Sequence, residues 1–317
     1  MKLYLLLYKT LLHRKYRDYL ERAGGDVDMC HETLLHGTFY EEYRVYGFAR
    51  KTEAERRSYL TDAVRDRLCR RVNSRQGERL VANKYLTYCR LKPFYHRHLW
   101  LLADKQAIAE AAAYGLRQGK LVVKPVDNCG GRGVQLIQAL EEEDWRRLLE
   151  SHRGQLAEEC IVQDSRLARW NPSTVNTVRV NTFHHNGEVM LFTAFLLTGR
   201  AGRFVNNGAQ GGLFASIDTD SGVIFTDGYD EEGIAYHAHP DSGTPYRGEL
   251  IPCWQELVDL CKHMATAVPE MTYIGWDMTL TPDGWEPVEA NRGEFIAQQI
   301  TQGRGLRREF ETACGIG

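Results

Sequence analysis

The 317-residue sequence predicts an α+β protein of two sheet-bearing lobes behind a helical N-terminal region. Residues 1 to about 80 carry helical spacing and no strand alternation. Apolar runs at 121–123 and 134–137 flank a glycine-rich turn, and after Asn171-Pro172-Ser173 the chain changes to long alternating β runs. The expected units are a helical region over 1–80, a small αβ lobe over 81–168 and a larger sheet lobe over 169–317.

Each element has a local reason. Tyr4, Leu7, Leu11 and Leu12 recur at helical spacing, and the first apolar run is too short to span a bilayer before His13, Arg14, Lys15 and Arg17 follow. An amphipathic first helix is expected, with peripheral contact to a membrane surface as an open reading. Residues 54–72 place Leu60, Val64 and Leu68 on one helical face, and Arg65, Arg67, Arg70 and Arg71 read as a solvated face or an anion site. Residues 80–88 are helical, with Lys84 on the less apolar side. The Ala-rich run 104–116 is a strong helix former that Gly119 stops before a strand begins at Leu121. A helix over 141–152 has its acids in the first turn and its bases later, as the helix dipole favours, and 156–162 returns as a strand.

In the second half, 177–184 alternates. Val178, Val180 and Thr182 lie on one face, Arg179, Asn181 and Phe183 on the other. Asn186-Gly187 turns the chain into a strand over 188–197. A strand over 213–217, an irregular excursion over 226–252, an amphipathic helix over 253–268 and a last pair of strands, 273–281 and 285–291, complete the chain.

Composition bounds the function. With 43% hydrophobic and 26% charged residues the chain is an ordinary globular protein, and a formal net charge of −2 argues against a general nucleic-acid binder. Its 8 cysteines are scattered without zinc spacing, so reduced thiols in a cytoplasm are expected.

Two stretches carry chemistry. In Leu121–Leu136, Gly130, Gly131 and Gly133 free the backbone to approach a ligand, and Lys124 adds a mobile positive charge. The stretch reads as a phosphate clamp or simply as a turn. In 273–291, symmetric closure over Pro282-Asp283-Gly284 pairs residue 281 with 285, and therefore Asp277 with Glu289. Asp277 and Glu289 then share a face with Asn291, opposite Ile274, Trp276, Met278 and Leu280. Facing carboxylates repel unless a positive charge lies between them, and a hard divalent cation such as Mg²⁺ suits that oxygen set. A solvent-exposed acidic face is the alternative.

Taken in order, Lys84, Lys124, the glycine flap, Arg179 and the Asp277/Glu289/Asn291 set resemble the ATP-grasp superfamily. The stretches 171–180, 206–218, 239–248 and 274–295 resemble its sugar-transfer-associated branch. The resemblance implies an ATP-grasp fold, two α+β lobes clasping ATP. Lys84, Lys124, Gly130, Gly131 and Gly133 would then meet the phosphates. Glu158, Glu159 and Ile161 would form the interlobe hinge and Asp164 the ribose contact. Arg179 would lie at the γ-phosphate and Asp277, Glu289 and Asn291 at Mg²⁺. Where relatives carry a Pro-Gly turn this chain has Arg292-Gly293-Glu294, and Arg292 reads either as an anion-holding residue or as a surface-turn residue. The implied activity is an ADP-forming carboxylate–amine ligase working through an acyl phosphate on small-molecule, peptide or glycan-related substrates. A kinase and a non-catalytic nucleotide-binding subunit are the alternatives. Asn206, Asn207 and Gln210 read as an acceptor lid or a surface loop.

Overall fold

A computed structural model describes residue 24 and residues 26–127, 133–202, 211–293 and 295–316. The expected first helix, Gly130 and Gly131 of the flap, and Asn206, Asn207 and Gln210 lie outside the described residues. No described helix is long and apolar enough to cross a membrane.

The expected α+β architecture is present as two antiparallel sheets. The smaller contains β1 (Leu99–Leu101), β2 (Leu121–Lys124), β3 (Gln135–Ile137) and β4 (Leu156–Glu158), in the order β1-β4-β2-β3. The larger contains β5 (Thr177–His185), β6 (Glu188–Thr198), β7 (Leu213–Ile217), β8 (Gly228–Tyr229), β9 (Ala235–Tyr236), β10 (Tyr273–Thr281) and β11 (Gly284–Asn291). Its order is β11-β10-β5-β6-β7-β8-β9, which sets β5 beside β10 although four strands, β6 to β9, and helix 254–267 intervene in sequence.

The small sheet is covered by helices 105–118 and 142–151, whose Ile108, Ala111, Trp145 and Leu149 meet Leu121, Val123 and Ala157. Gly115 makes that crossing possible, because a Cβ there would lie 2.8 Å from the Trp145 ring. One face of the large sheet buries Val178, Val180, Ile274, Trp276, Met278 and Leu280 against helix 254–267, as the alternation of β5 and β10 requires.

The other face of the large sheet is covered by the N-terminal helices. Met29, Tyr46, Phe48 and Tyr59 pack on Phe195, Phe214 and Ile300, while Leu60, Val64 and Leu68 pack with Phe183, Tyr273, Phe295 and Phe310. Buried amides lock this layer. Gln299 accepts from the Leu60 and Leu306 amides and donates to the Leu60 carbonyl and the Tyr46 hydroxyl. Asn73 exchanges hydrogen bonds with the Tyr273 backbone in both directions.

Three readings of local structure change. The helix expected over 54–72 is broken between 53–57 and 62–72, where Leu60 turns inward to meet Gln299. The helix expected over 80–88 divides at Asn83, which caps the second segment and makes Lys84 its first residue. The strand expected over 156–162 stops at Glu158, where pairing with both β1 and β2 ends.

Candidate active site

The β10–β11 pairing is where local sequence and tertiary structure meet. Thr281 pairs with Gly284 rather than with residue 285, so the hairpin closes one residue tighter than symmetric closure over Pro282-Asp283-Gly284. A β-bulge between Asp277 and Met278 then absorbs one residue of β11: Met278 faces Pro287, and Asp277 faces Glu289. The expected pairing is present through two compensating offsets. Without the bulge Val288 would face Asp277, and Glu289 would turn to the apolar side.

Sheet order adds the third member. Asp277 also pairs with Arg179 on β5, so Arg179, Asp277 and Glu289 form one row across three strands. The Arg179 guanidinium forks onto the carboxylate, with Nε on Oδ1 and Nη2 2.6 Å from Oδ2. Arg179 also lies against the Phe195 ring, its Cζ 5.8 Å from the ring centre. Asp277 is only 6% exposed, so an exposed acidic face is ruled out for it. Glu289 is half-buried, with Lys84 Nζ 3.9 Å from Oε2. Burial, and then the neighbouring Asp277, raise the Glu289 carboxyl above its ordinary range, against the pull of Lys84, Lys124 and Arg179. The protein's own cations thus offset part of the repulsion for which a metal ion was expected.

The next row holds Asn291, Gly275 and Asn181. Asn291 Nδ2 is 3.4 Å from Asp277 Oδ2, and its Oδ1 accepts from Gly293 N at 2.9 Å. A Cβ on Gly275 would lie 2.7 Å from Asn181 Oδ1 and 2.9 Å from Asn291 Oδ1, so glycine is what lets the two amides lean together. Arg292 is exposed, and its carbonyl lies 3.8 Å from the Cys69 thiol of helix 62–72.

The two lysines arrive from the smaller sheet's side. Lys84 opens helix 84–91, and its amide donates to the Val126 carbonyl at 2.9 Å, tying that helix to the segment that leaves β2. Lys124 ends β2, with Nζ 2.8 Å from Glu158 Oε1. Lys84, Lys124 and Glu289 line one cavity with Thr87, Tyr95 and Leu99; at about 10 Å³ it has room for a single water. Any ligand larger than water needs the two sheets to part.

Among the hinge residues, Glu158 is buried. Although burial opposes its ionisation, Lys124 and then Arg97 hold its carboxyl below the ordinary range. The Glu159 amide donates to the His98 carbonyl at 3.2 Å, and Ile161 follows β4 outside any regular element. Asp164 caps helix 165–168 and forks with Arg166, so both its carboxylate oxygens are engaged within its own turn. Gly133, the described glycine of the flap, has φ +77°, and a Cβ there would lie 2.9 Å from Pro125.

Sequence reasoning missed Arg97. It is 5% exposed and bonds Glu158, Glu286 and the carbonyls of Pro287 and Val288. The only signal in the sequence is a basic triplet, His96-Arg97-His98, running directly into an apolar strand.

Among solved structures the chain is similar to a D-alanyl-alanine synthetase A from Vibrio cholerae (14% identity, TM-score 0.46, covering 75% of this chain and 65% of that one). It is also similar to the VanG D-Ala:D-Ser ligase from Enterococcus faecalis (14%, 0.46, 77% and 64%) and to an L-amino acid ligase from Bacillus licheniformis (13%, 0.41, 71% and 44%). The chain therefore spans less than two thirds of the length of each. No curated protein matches it. A family profile described as sugar-transfer associated ATP-grasp matches residues 149–314, just over half of the chain. That stretch runs from the end of helix 142–151 through β4 and the whole large sheet, including the Arg179–Asp277–Glu289 row, and the chain belongs to the sugar-transfer associated ATP-grasp family.

Proposed function

We propose that the protein is an ATP-dependent, ADP-forming ligase that joins a carboxylate to an amine through an acyl phosphate. One observation carries the reading: Glu289, the end of the Arg179–Asp277–Glu289 row, lines one cavity with the two lysines Lys84 and Lys124. In this reading residues 81–168 are the small lobe and 169–317 the large lobe, with 1–80 a helical region whose described helices pack on the sheet face that carries Phe183, Phe195 and Tyr273.

The donor set fits Mg²⁺, because two carboxylates and the Asn291 amide offer the oxygen ligands that a hard cation prefers. Asp277, Glu289 and Asn291 would hold it, and it would supply charge neutralisation at the nucleotide's phosphates. Phosphoryl transfer asks mainly for positioning and cations. Lys84 and Lys124 serve the α- and β-phosphates. Arg179, on the strand beside Asp277, would serve the γ-phosphate. The glycines Gly130, Gly131 and Gly133 cover the phosphates, and the backbone of Glu159 and Ile161 meets the adenine. Asp164 serves the ribose and Arg292 the substrate side.

The attacking carboxylate takes the phosphoryl group from ATP and releases ADP. The amine then displaces inorganic phosphate from the acyl phosphate. Oxygen-18 in the substrate carboxylate tests this sequence directly, since one labelled oxygen leaves with phosphate. ADP release is first screened against pools of small acids, peptides and glycan-derived acids with amine acceptors. Label in inorganic phosphate supports the ligase. A phosphorylated product with unlabelled phosphate replaces it with a kinase, and Mg-ATP binding without turnover in any pool replaces it with a nucleotide-binding subunit.

A further inference from the structure

We propose that Arg97 is a positioning residue: by holding the carbonyls of the β11 bulge it keeps Glu289 on the face of Asp277, from within a charge network that ends on Lys124. The proposal rests on the reading that Asp277 and Glu289 hold a divalent cation.

The bulge leaves backbone groups that the β10–β11 ladder does not pair, and such groups need donors when buried. Arg97 supplies them. Its Nη1 donates to Pro287 O at 2.8 Å and to Glu286 Oε2 at 2.8 Å, and its Nη2 reaches Val288 O at 3.4 Å. Val288 is the residue the ladder skips, and Pro287 is the last one paired before it. Only a guanidinium presents several fixed N–H groups at once; a lysine in its place offers a single ammonium on a flexible stem.

On its other edge, Nε and Nη2 each lie 3.4 Å from Glu158 Oε2, and Glu158 Oε1 holds Lys124 Nζ at 2.8 Å. The chain Lys124–Glu158–Arg97–Pro287/Val288–Glu289 therefore runs unbroken from the smaller sheet to the metal carboxylate. Two cations and two carboxylates, Glu158 and Glu286, balance within it, and the Tyr95 ring lies 5.1 Å from the Arg97 Cζ.

The competing state is defined by the same register. If the bulge carbonyls lose their donor, the unbulged ladder restores ordinary pairing, places Val288 opposite Asp277 and turns Glu289 to the face covered by helix 254–267. Arg97 acts against that slip without touching the metal itself. Residues that orient metal ligands from behind typically change metal affinity by about 10- to 100-fold when replaced.

The test compares Arg97→Lys with Glu286→Gln in the full chain. Mn²⁺ binding in the presence of ADP is read by electron paramagnetic resonance, ADP binding is read in EDTA, and hydrogen exchange is read at the Val288 and Glu289 amides. Arg97→Lys is expected to weaken Mn²⁺ by about 10-fold or more, leave metal-free ADP within about 2-fold, and speed exchange at the bulge. Glu286→Gln keeps the guanidinium on the carbonyls and is expected to leave Mn²⁺ within about 2-fold. A folded Arg97→Lys with wild-type Mn²⁺ affinity overturns the proposal, as does an equal loss in both variants, which would assign the effect to the charge cluster. Should Arg97→Lys not fold, the Arg97→Gln/Glu286→Gln pair is measured with the same two outcomes. If the wild-type chain binds no Mn²⁺ with ADP, the ligase reading fails on its own, and exchange at Val288 and Glu289 still decides what Arg97 does.

Discussion

Asp277 and Glu289 face each other across β10 and β11 only because a tight turn at Pro282-Asp283 and a bulge at Val288 displace the register in opposite senses. The pair sets two carboxylates side by side, and burial, then the Asp277 charge, keep the Glu289 carboxyl raised. Glu289→Gln removes one charge from the crowded pair and preserves shape. Its melting temperature is expected to equal or exceed that of the wild type, while metal-dependent nucleotide binding falls at least about tenfold. A fall in melting temperature with metal dependence intact would contradict it.

Arg179 and Asp277 form a buried, forked ion pair, so removing one partner strands the other. Arg179→Met and Asp277→Asn are each expected to lose roughly 3 to 5 kcal/mol of stability as well as turnover. The double variant Arg179→Met/Asp277→Asn is expected to recover a large part of that stability and none of the turnover. Denaturant titrations of the four proteins form the double-mutant cycle; additive losses would deny the coupling.

Gly275 is the gap into which Asn181 and Asn291 lean. Gly275→Ala puts a methyl within 3 Å of both amide oxygens and is expected to cost roughly 1 to 3 kcal/mol and to displace Asn291. Metal affinity should fall in the same variant, which calorimetric titration with Mn²⁺ and ADP would read. Unchanged stability and affinity would mean the amides can move apart freely.

Glu42 stitches the N-terminal layer, accepting from the Phe39 amide at one helix start and from the Asp62 amide at another. Burial, against those two hydrogen bonds, pushes its carboxyl up to about 7. A folded-state pKa above the unfolded value means the stabilisation is present in full below about 4.5 and is lost as pH rises through about 7. Relative to Glu42→Gln, the wild type is expected to gain roughly 1 to 3 kcal/mol between pH 8 and pH 5. Parallel stability profiles for the two proteins over that range would refute the assignment.

Much of the fold was legible because its signals are local. The alternation of Val178 and Val180 against Arg179 and Asn181, the Asn186-Gly187 turn and the apolar stripe Leu60, Val64 and Leu68 each follow from a period of 2 or 3.6. The breaks at Ser58–Thr61 and at Asn83 were not legible, because they answer to distant partners such as Gln299.

The candidate site divides along the same line. By itself the sequence determined that Glu289 and Asn291 share one face of their strand, that Lys124 ends a strand before a glycine turn, and that Arg179 points away from the core of β5. These are statements about neighbours along the chain, where backbone geometry leaves few choices. Only the tertiary structure decided that Arg179 lies on Asp277, 98 residues away, and that Arg97 reaches the β11 bulge from 190 residues away. Both depend on strand order and on the closure of one sheet over the other. Those are settled by how whole faces bury apolar area against each other, and no short window of residues encodes that choice.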